Sequence, residues 1–248
     1  MNILKIITPA ILLLAMSFPI DSPAKTVVSL EGSAIWQTRN DQRVPGKGGT
    51  EFSLSDFDKG PFPGVRLYVG HTFNERHEIR ALYAPLEVEI DGKFDQAVIF
   101  RGSTFAANTD TKALYKFNSY RITYAYHLEP KGEWNMAWGF TGKIRDAEVR
   151  LTQGALRESK SNVGFVPLLH FQANRALSEN WLFRFDFDGL AAPQGRAFDL
   201  AFFLERSLEW NNLSAFGGYR TLEGGADNDE VFNFAWIHYA VLGLRGEF

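Results

Sequence analysis

Apolar and polar residues alternate along most of this chain, most clearly near its C-terminal end. From Val231 to Phe248, apolar side chains fall on one face of an extended chain and more polar ones on the other. The apolar face carries Phe232, Phe234, Trp236, Ala240, Leu242, Leu244 and Phe248, and the other carries Asn233, Tyr239, Gly243, Arg245 and Glu247. A period of two residues predicts a β-strand whose faces meet different surroundings. The strand exceeds the roughly 9–11 residues that a tilted strand needs to cross hydrocarbon.

Nine further segments alternate in the same way, so the pattern predicts ten antiparallel strands. The ten lie at Thr26–Thr38, Gly64–Phe73, His77–Glu89, Leu114–Leu128, Trp134–Glu148, Asn162–Asn174, Trp181–Leu190, Arg196–Leu208, Leu213–Leu222 and Val231–Phe248. Eight strands are the alternative, because Gly217 and Gly218 weaken the ninth segment. The stretch Ala97–Thr104 is either loop or a strand extension.

The connections between these segments are short and long in turn. The tight ones are Asn74-Glu75, Lys131-Gly132-Glu133, Leu177-Ser178-Glu179 and Trp210-Asn211-Asn212. The others are mostly longer and polar, and include Asn40–Pro63, Gly92–Lys112, Arg150–Ser161 and Glu223–Glu230. Short turns on one rim and long loops on the other are typical of transmembrane β-barrels, with the turns on the periplasmic side.

The alternation also assigns the two faces of each strand. In the seventh strand the outer face carries Trp181, Phe183, Phe185 and Phe187, and the inner face carries Leu182, Arg184, Asp186 and Asp188. A charge facing hydrocarbon near the midplane costs about 2–4 kcal/mol, so this division is strongly enforced. Lys116 and His238 fall on the outer face, and we expect both to lie near a membrane interface.

The N-terminal segment predicts a secretory signal. A short basic start precedes the apolar stretch 6–20, and Ser22-Pro23-Ala24 supplies small residues for a signal peptidase. We expect cleavage after Ala24, which leaves a single barrel domain over residues 25–248.

Charge and composition narrow the possible functions. The formal net charge of −3 gives no indication of nucleic-acid binding. The chain has no cysteine, which excludes disulfides and thiolate metal sites. The acidic segment Glu223–Glu230 lacks the spacing of a calcium-binding loop, so we expect neither a metal nor a cofactor.

The predicted inner face carries charges that divide into two arcs. Strands two to five supply the basic residues Arg66, Arg80, Arg121, Lys143 and Arg145. Strands six to eight supply Asp186, Asp188, Asp199 and Glu205, with Arg184 and His170 among them. Buried charges are tolerated only when they are paired, so the arcs predict a salt-bridge network that plugs a small barrel. The alternative is a narrow channel for a small polar solute.

A third hypothesis starts from His170. Turn lengths predict that His170 lies opposite Asp186 and that Asp199 lies beside Asp186. A histidine next to two carboxylates is capable of general-base or metal-ligand chemistry. The trio resembles the acid–histidine sites of outer-membrane proteases, although the opposite wall offers no matched acidic pair. A membrane-embedded hydrolase acting on lipid or peptide is therefore the third class of function.

Phe248, the alternating Leu242 and Leu244, and the contrast between the two rims resemble small bacterial outer-membrane β-barrel proteins over the whole chain. The resemblance implies an all-β up-and-down barrel in the outer membrane of a Gram-negative cell, reached after export. It also implies contact with outer-membrane lipid and lipopolysaccharide, and recognition of Phe248 by the barrel-assembly machinery. A structural or envelope-stabilising barrel is the function we expect, ahead of a porin-like channel and a hydrolase.

Overall fold

The computed structural model describes residues 24–193, 195–208, 210 and 212–248, so nearly all of the predicted signal segment lies outside the described residues. Its strands are β1 (Lys25–Arg43), β2 (Phe52–Ser53), β3 (Phe62–Phe73), β4 (His77–Ala84), β5 (Glu87–Gly92), β6 (Val98–Phe100), β7 (Ser103–Phe105), β8 (Thr111–His127), β9 (Trp134–Gln153), β10 (Leu156–Ala176), β11 (Trp181–Ala192), β12 (Gly195–Ser207), β13 (Leu213–Asp227) and β14 (Phe232–Glu247). A single turn of 3₁₀ helix covers Leu54–Asp56.

Ten wall strands form a closed antiparallel barrel, which confirms the predicted fold and the strand number. β4 and β5 count as one wall strand because both pair with β8 in one register around Pro85. The barrel closes where β14 pairs with β1 along nearly its whole length. The backbone amides of Thr26 and Phe248 donate to each other's carbonyl oxygens at 2.9 and 2.8 Å.

An apolar belt surrounds the barrel, as the alternation predicted. Its exposed side chains include Leu30, Val65, Ile79, Ile122, Phe140, Leu169, Leu204, Leu242 and Leu244, and Phe248 is exposed in the same way. The residues that alternate with them along the same strands point into the barrel and are buried. This confirms the predicted faces in β8, β9 and β12. Among the described residues, no helix is long and apolar enough to cross a membrane.

Several strands continue well beyond their predicted ends. The predicted loop Arg150–Ser161 is wrong, because β9 and β10 remain paired up to Gln153 and Leu156 and turn at Gly154 with φ of +59°. The predicted loop Glu223–Glu230 shrinks in the same way, since β13 runs to Asp227. Outside hydrocarbon both faces of a strand meet water, so alternation fades while backbone pairing continues.

The two longest loops are not simply polar. Their apolar side chains pack with inward residues of β1 and β5, and the cluster includes Phe52, Leu54, Phe94, Val98, Phe100, Phe105, Ile35 and Ile90. The uncertain stretch Ala97–Thr104 contains most of the β6–β7 hairpin, which forms a separate two-stranded sheet. This cluster covers part of the rim opposite the short turns.

The wall is incomplete between β10 and β11. The two strands pair only from Leu169 with Gly189 to Ala176 with Leu182. Above this point β10 continues paired with β9 alone, and the end of β11 is paired with β12 alone. Pro167, which has no amide hydrogen to donate, lies two residues before the pairing starts. We call this opening, between residues 163–168 of β10 and 190–192 of β11, the notch.

Candidate functional site

Seven buried side chains from six wall strands meet across the middle of the lumen, and we call them the septum. The septum consists of Glu31 (β1), Arg66 and Tyr68 (β3), Arg121 (β8), Asp188 (β11), Asp199 (β12) and Arg220 (β13), each at most 8% exposed. Three guanidinium groups face three carboxylates in this set. Strand parity brings all seven to the inner face, and barrel closure sets the two arcs opposite each other.

Asp199 is the centre of the septum because it accepts from three arginines. Its Oδ2 accepts from Arg66 Nη2 at 3.0 Å and from Arg121 Nη2 at 2.7 Å. Its Oδ1 accepts from Arg220 Nη1 at 2.6 Å. The contacts from Arg66 on β3 and Arg121 on β8 join β12 to distant parts of the wall and span the lumen, whereas Arg220 lies on the adjacent strand β13.

Asp188 holds the neighbouring position. Its Oδ2 accepts from Arg121 Nη1 at 2.8 Å, and its Oδ1 accepts from the Thr141 hydroxyl at 2.7 Å. The ring Nδ1 of His170 lies 2.9 Å from the same Oδ1. All of the hydrogen bonds that Asp188 accepts here come from buried partners.

Glu31 and Tyr68 complete the septum. Arg220 Nη2 donates to Glu31 Oε1 at 3.1 Å and to the Tyr68 hydroxyl at 2.9 Å. Arg66 Nε donates to the same hydroxyl at 3.0 Å. Tyr68 therefore links the two arginines, and Glu31 supplies the third negative charge.

Further ion pairs lie between the septum and the short-turn rim. Arg80 Nη1 contacts Asp186 at 2.8 Å, and Arg184 contacts Glu205 at 3.1 Å. Arg245 also reaches Glu205, at 3.5 Å. The three arginines and Asp186 line a cavity of about 510 Å³ that lies on this side of the septum.

The two remaining basic residues of the predicted arc have other surroundings. Lys143 is buried over the ring of Phe117, with its ammonium 4.6 Å from the ring centroid, and it forms no ion pair within the described part of the chain. Arg145 donates to the Asn162 side chain, and its buried Nε has no partner among the described residues. Both line a second cavity of about 500 Å³ on the loop side of the septum.

The predicted register around His170 is wrong by two residues. His170 faces Asp188 rather than Asp186, and Asp199 also faces Asp188. Asp186 faces Gln172 instead. Ala176 pairs with Leu182, so five residues, 177–181, separate this pair, two more than in the predicted turn, and each position of β11 moves two residues along β10.

The histidine cluster is better suited to the ion network than to chemistry on a substrate. One ligand atom each of His170, Asp186 and Asp188 lies within 4.8 Å of the others, as a metal site requires. However, Arg80 and Arg121 already neutralise the two carboxylates, and their positive charges oppose a bound cation. His170 is 3% exposed and lines neither large cavity, so a substrate in either cavity does not reach its ring.

Sequence reasoning missed Glu31 and Arg220, although the signal was present. Alternation in β13 places Arg220 on the same face as Phe216 and Leu222, which are both buried. In β1 it places Glu31 between the inward residues Ser29 and Ile35.

The two polar residues predicted on the outer face both have polar partners. Lys116 pairs with Asp146 at 2.6 Å, and His238 contacts the hydroxyl groups of Thr38 and Tyr219.

Comparisons with known proteins place this fold in one class. The outer-membrane protease OmpT from Escherichia coli matches with a TM-score of 0.58 and 8% identity, over 95% of this chain and 99% of that chain. Ail, the attachment invasion locus protein of Yersinia pestis, matches with a TM-score of 0.39 and 11% identity, over 91% of this chain and 99% of that one. No protein-family model matches the chain, and no curated protein is significantly similar to it in sequence.

The closed barrel, its apolar belt and the structural match to OmpT define the class of the protein. It is a bacterial outer-membrane β-barrel protein, with short periplasmic turns and long extracellular loops. The cavity lined by Arg80 and Asp186 is therefore periplasmic, and the cavity lined by Lys143 is extracellular. At 8% identity the likeness to OmpT extends to the fold alone.

Proposed function

We propose that this protein is a sealed barrel that reinforces the outer membrane and does not conduct solutes. The observation that carries the proposal is the septum, which joins both sides of the wall through Asp199 and its three arginines. No residue in the described part of the chain lines both the periplasmic and the extracellular cavity. The position of the septum between the two cavities supports a closed lumen.

The charge balance of the septum supports a permanent closure. Three guanidinium groups and three carboxylates pair inside it, so no net charge remains to attract a permeating ion. Removing one partner from a buried ion pair is strongly destabilising, because the other charge is left unpaired. Opening a path through these pairs therefore has a high free-energy cost.

Conductance in a planar bilayer tests the closure. The purified, folded protein is inserted at neutral pH in moderate salt, and an open porin inserted under the same conditions shows that currents are detectable. We expect no single-channel steps from this protein. Steady, ohmic steps from the folded barrel would overturn the proposal.

A genetic experiment tests the reinforcing role separately. A bacterium that lacks the gene should become more sensitive to detergent and to large antibiotics, and a plasmid copy of the gene should restore resistance. The Arg121→Ala variant should restore it less well, because it loses contacts to Asp188 and Asp199. Unchanged sensitivity after deletion would leave a sealed barrel without this role.

A narrow, gated channel is the second candidate function. The observation that favours it is the pair of cavities, about 510 and 500 Å³, one on each side of the septum. A transient rearrangement of the septum would connect them. Brief, charge-selective openings in the bilayer experiment would support this function in place of the sealed barrel.

A further inference from the structure

We propose that the extracellular cavity binds a single-chain anionic amphiphile, a carboxylate with a hydrocarbon tail, which enters through the notch. The head would contact Lys143 and Arg145, and the tail would lie against the apolar wall and the edges of the notch. This inference does not depend on whether the septum conducts ions.

Lys143 provides the first part of the argument. Its side chain is 2% exposed and lines the cavity, yet no carboxylate pairs with it in the described ranges. A buried ammonium without a counter-charge is costly, and proteins normally pair or hydrogen-bond such groups. The contact with Phe117 stabilises the cation only in part. An anion in the cavity would supply the missing partner.

Arg145 adds a second positive group close to the first. Its Nη2 contacts Asn162, and its buried Nε has no partner among the described residues. Lys143 and Arg145 lie two residues apart on β9, and strand parity turns both toward the lumen. Together they form a binding site for one anionic group.

The other charges around the cavity are already neutralised. Arg196 pairs with Glu223 at 2.8 Å, and Lys160 lies 3.7 Å from Glu230. Arg121 is held by the two aspartates of the septum. The unpaired charge that faces the cavity is therefore positive, which favours an anionic ligand over a neutral or cationic one.

The notch explains why the ligand should carry a hydrocarbon tail. Phe165 on β10 is 66% exposed on the outer face and also lines the cavity, so the cavity continues through the wall there. Its cross-strand neighbour Ile144 belongs to the exposed apolar belt. Pro167 and Leu190 form the other apolar edges of the opening. The opening therefore lies at the level of lipid chains rather than of water.

The size of the cavity favours one chain. Its volume of about 500 Å³ lies within the range of about 300–1,000 Å³ that is usual for small-ligand sites. A glycolipid with several acyl chains would have to leave most of its hydrocarbon in the membrane. A free fatty-acid-like carboxylate fits entirely.

Equilibrium binding of radiolabelled palmitate tests the head-group site. The folded protein is held in a non-ionic detergent, with hexadecanol as the neutral probe of equal length. Lys143→Met should weaken palmitate binding by about tenfold to a hundredfold, since a charge-assisted hydrogen bond is lost. Lys143→Arg should retain binding, and Lys112→Met, at an exposed lysine outside the cavity, should leave it unchanged. Hexadecanol should bind more weakly than palmitate to the native protein.

Equal palmitate affinity in Lys143→Met and in the native protein would overturn the proposal, as would equal affinity for hexadecanol. If Lys143→Met does not fold, Arg145→Met replaces it, and an unchanged palmitate affinity in that variant would also overturn the proposal.

Entry through the notch is tested with Pro167→Cys and Ala191→Cys, which continue the β10–β11 register in a chain without other cysteines. A short reducible cross-link between them should block uptake and reduction should restore it. Unhindered uptake across the closed notch would contradict the entry route.

Discussion

At the scale of single residues, the interior is organised by buried charges that differ in how completely they are paired. Asp199 has three arginine partners, whereas Lys143, also buried, has no carboxylate partner in the described residues. A buried ion pair contributes little net stability when it forms, but it is costly to break. These two residues should therefore respond to substitution in opposite directions.

Arg121→Ala should lower the free energy of unfolding by about 3–5 kcal/mol, because Asp188 and Asp199 each lose a charged partner. The matched control is Arg175→Ala, which removes an exposed pair with Glu133 and should cost no more than about 1 kcal/mol. Denaturant unfolding followed by tryptophan fluorescence measures both. Similar losses in the two variants would show that the septum is no more important than a surface ion pair.

Lys143→Met should raise the free energy of unfolding in the absence of ligand, because an apolar side chain of similar length replaces an unpaired buried ammonium. Lys112→Met, at an exposed position, should change it by no more than about 0.5 kcal/mol. The same unfolding experiment measures both variants. A clear loss of stability in Lys143→Met would mean that the ammonium has a stabilising partner.

Much of this interior was predictable from parity alone, but the partners were not. Alternation placed Arg66, Arg121 and Asp199 on the inner face, where the structure has them. Which residues face each other depends on strand register, so the two extra residues between Ala176 and Leu182 move every β10–β11 pair. His170 was therefore assigned to Asp186 instead of Asp188. Contacts across the lumen depend on barrel closure, which a single strand's pattern does not contain.

At the scale of elements, hydrocarbon explains which strand limits could be predicted. β11 and β12 have apolar outer faces over most of their length, and their limits agree with prediction within two residues. β9 and β10 extend into water, where outward residues such as Asp146 and Glu148 are charged. The pattern there resembles a loop although the hydrogen-bonded ladder continues.

The notch predicts uneven hydrogen exchange along β10. Residues 163–168 have a neighbour on one side only, so about every second amide there lacks a strand partner. Residues 170–176 lie between β9 and β11. Peptides covering 163–168 should exchange faster than those covering 170–176 or the facing residues 141–144 of β9 when followed by mass spectrometry. Uniform protection along β10 would mean that the notch is closed in solution.

At the scale of the whole molecule, the barrel encloses two cavities with the septum between them. The periplasmic cavity is lined mostly by paired charges, and the extracellular one, next to the notch, is lined by Lys143 and Arg145, which form no ion pair among the described residues. A sealed barrel with a one-sided ligand site differs from a pore, in which both cavities would share one water path. In the proposed sealed barrel, the separation of the two cavities depends on a small number of side chains.

Those side chains can be removed without leaving a net charge behind. Glu31→Ala, Arg66→Ala, Asp199→Ala and Arg220→Ala, made together, eliminate two negative and two positive charges and leave the Arg121–Asp188 pair with its Thr141 contact. Removing complete ion pairs leaves no buried charge without its partner, which avoids the main cost of breaking a buried pair, so this variant should fold. In a planar bilayer it should give ohmic single-channel steps where the native barrel is silent. A folded quadruple variant that stays silent would show that the barrier to ions lies elsewhere, most directly in the extracellular cluster around Phe100 and Phe105.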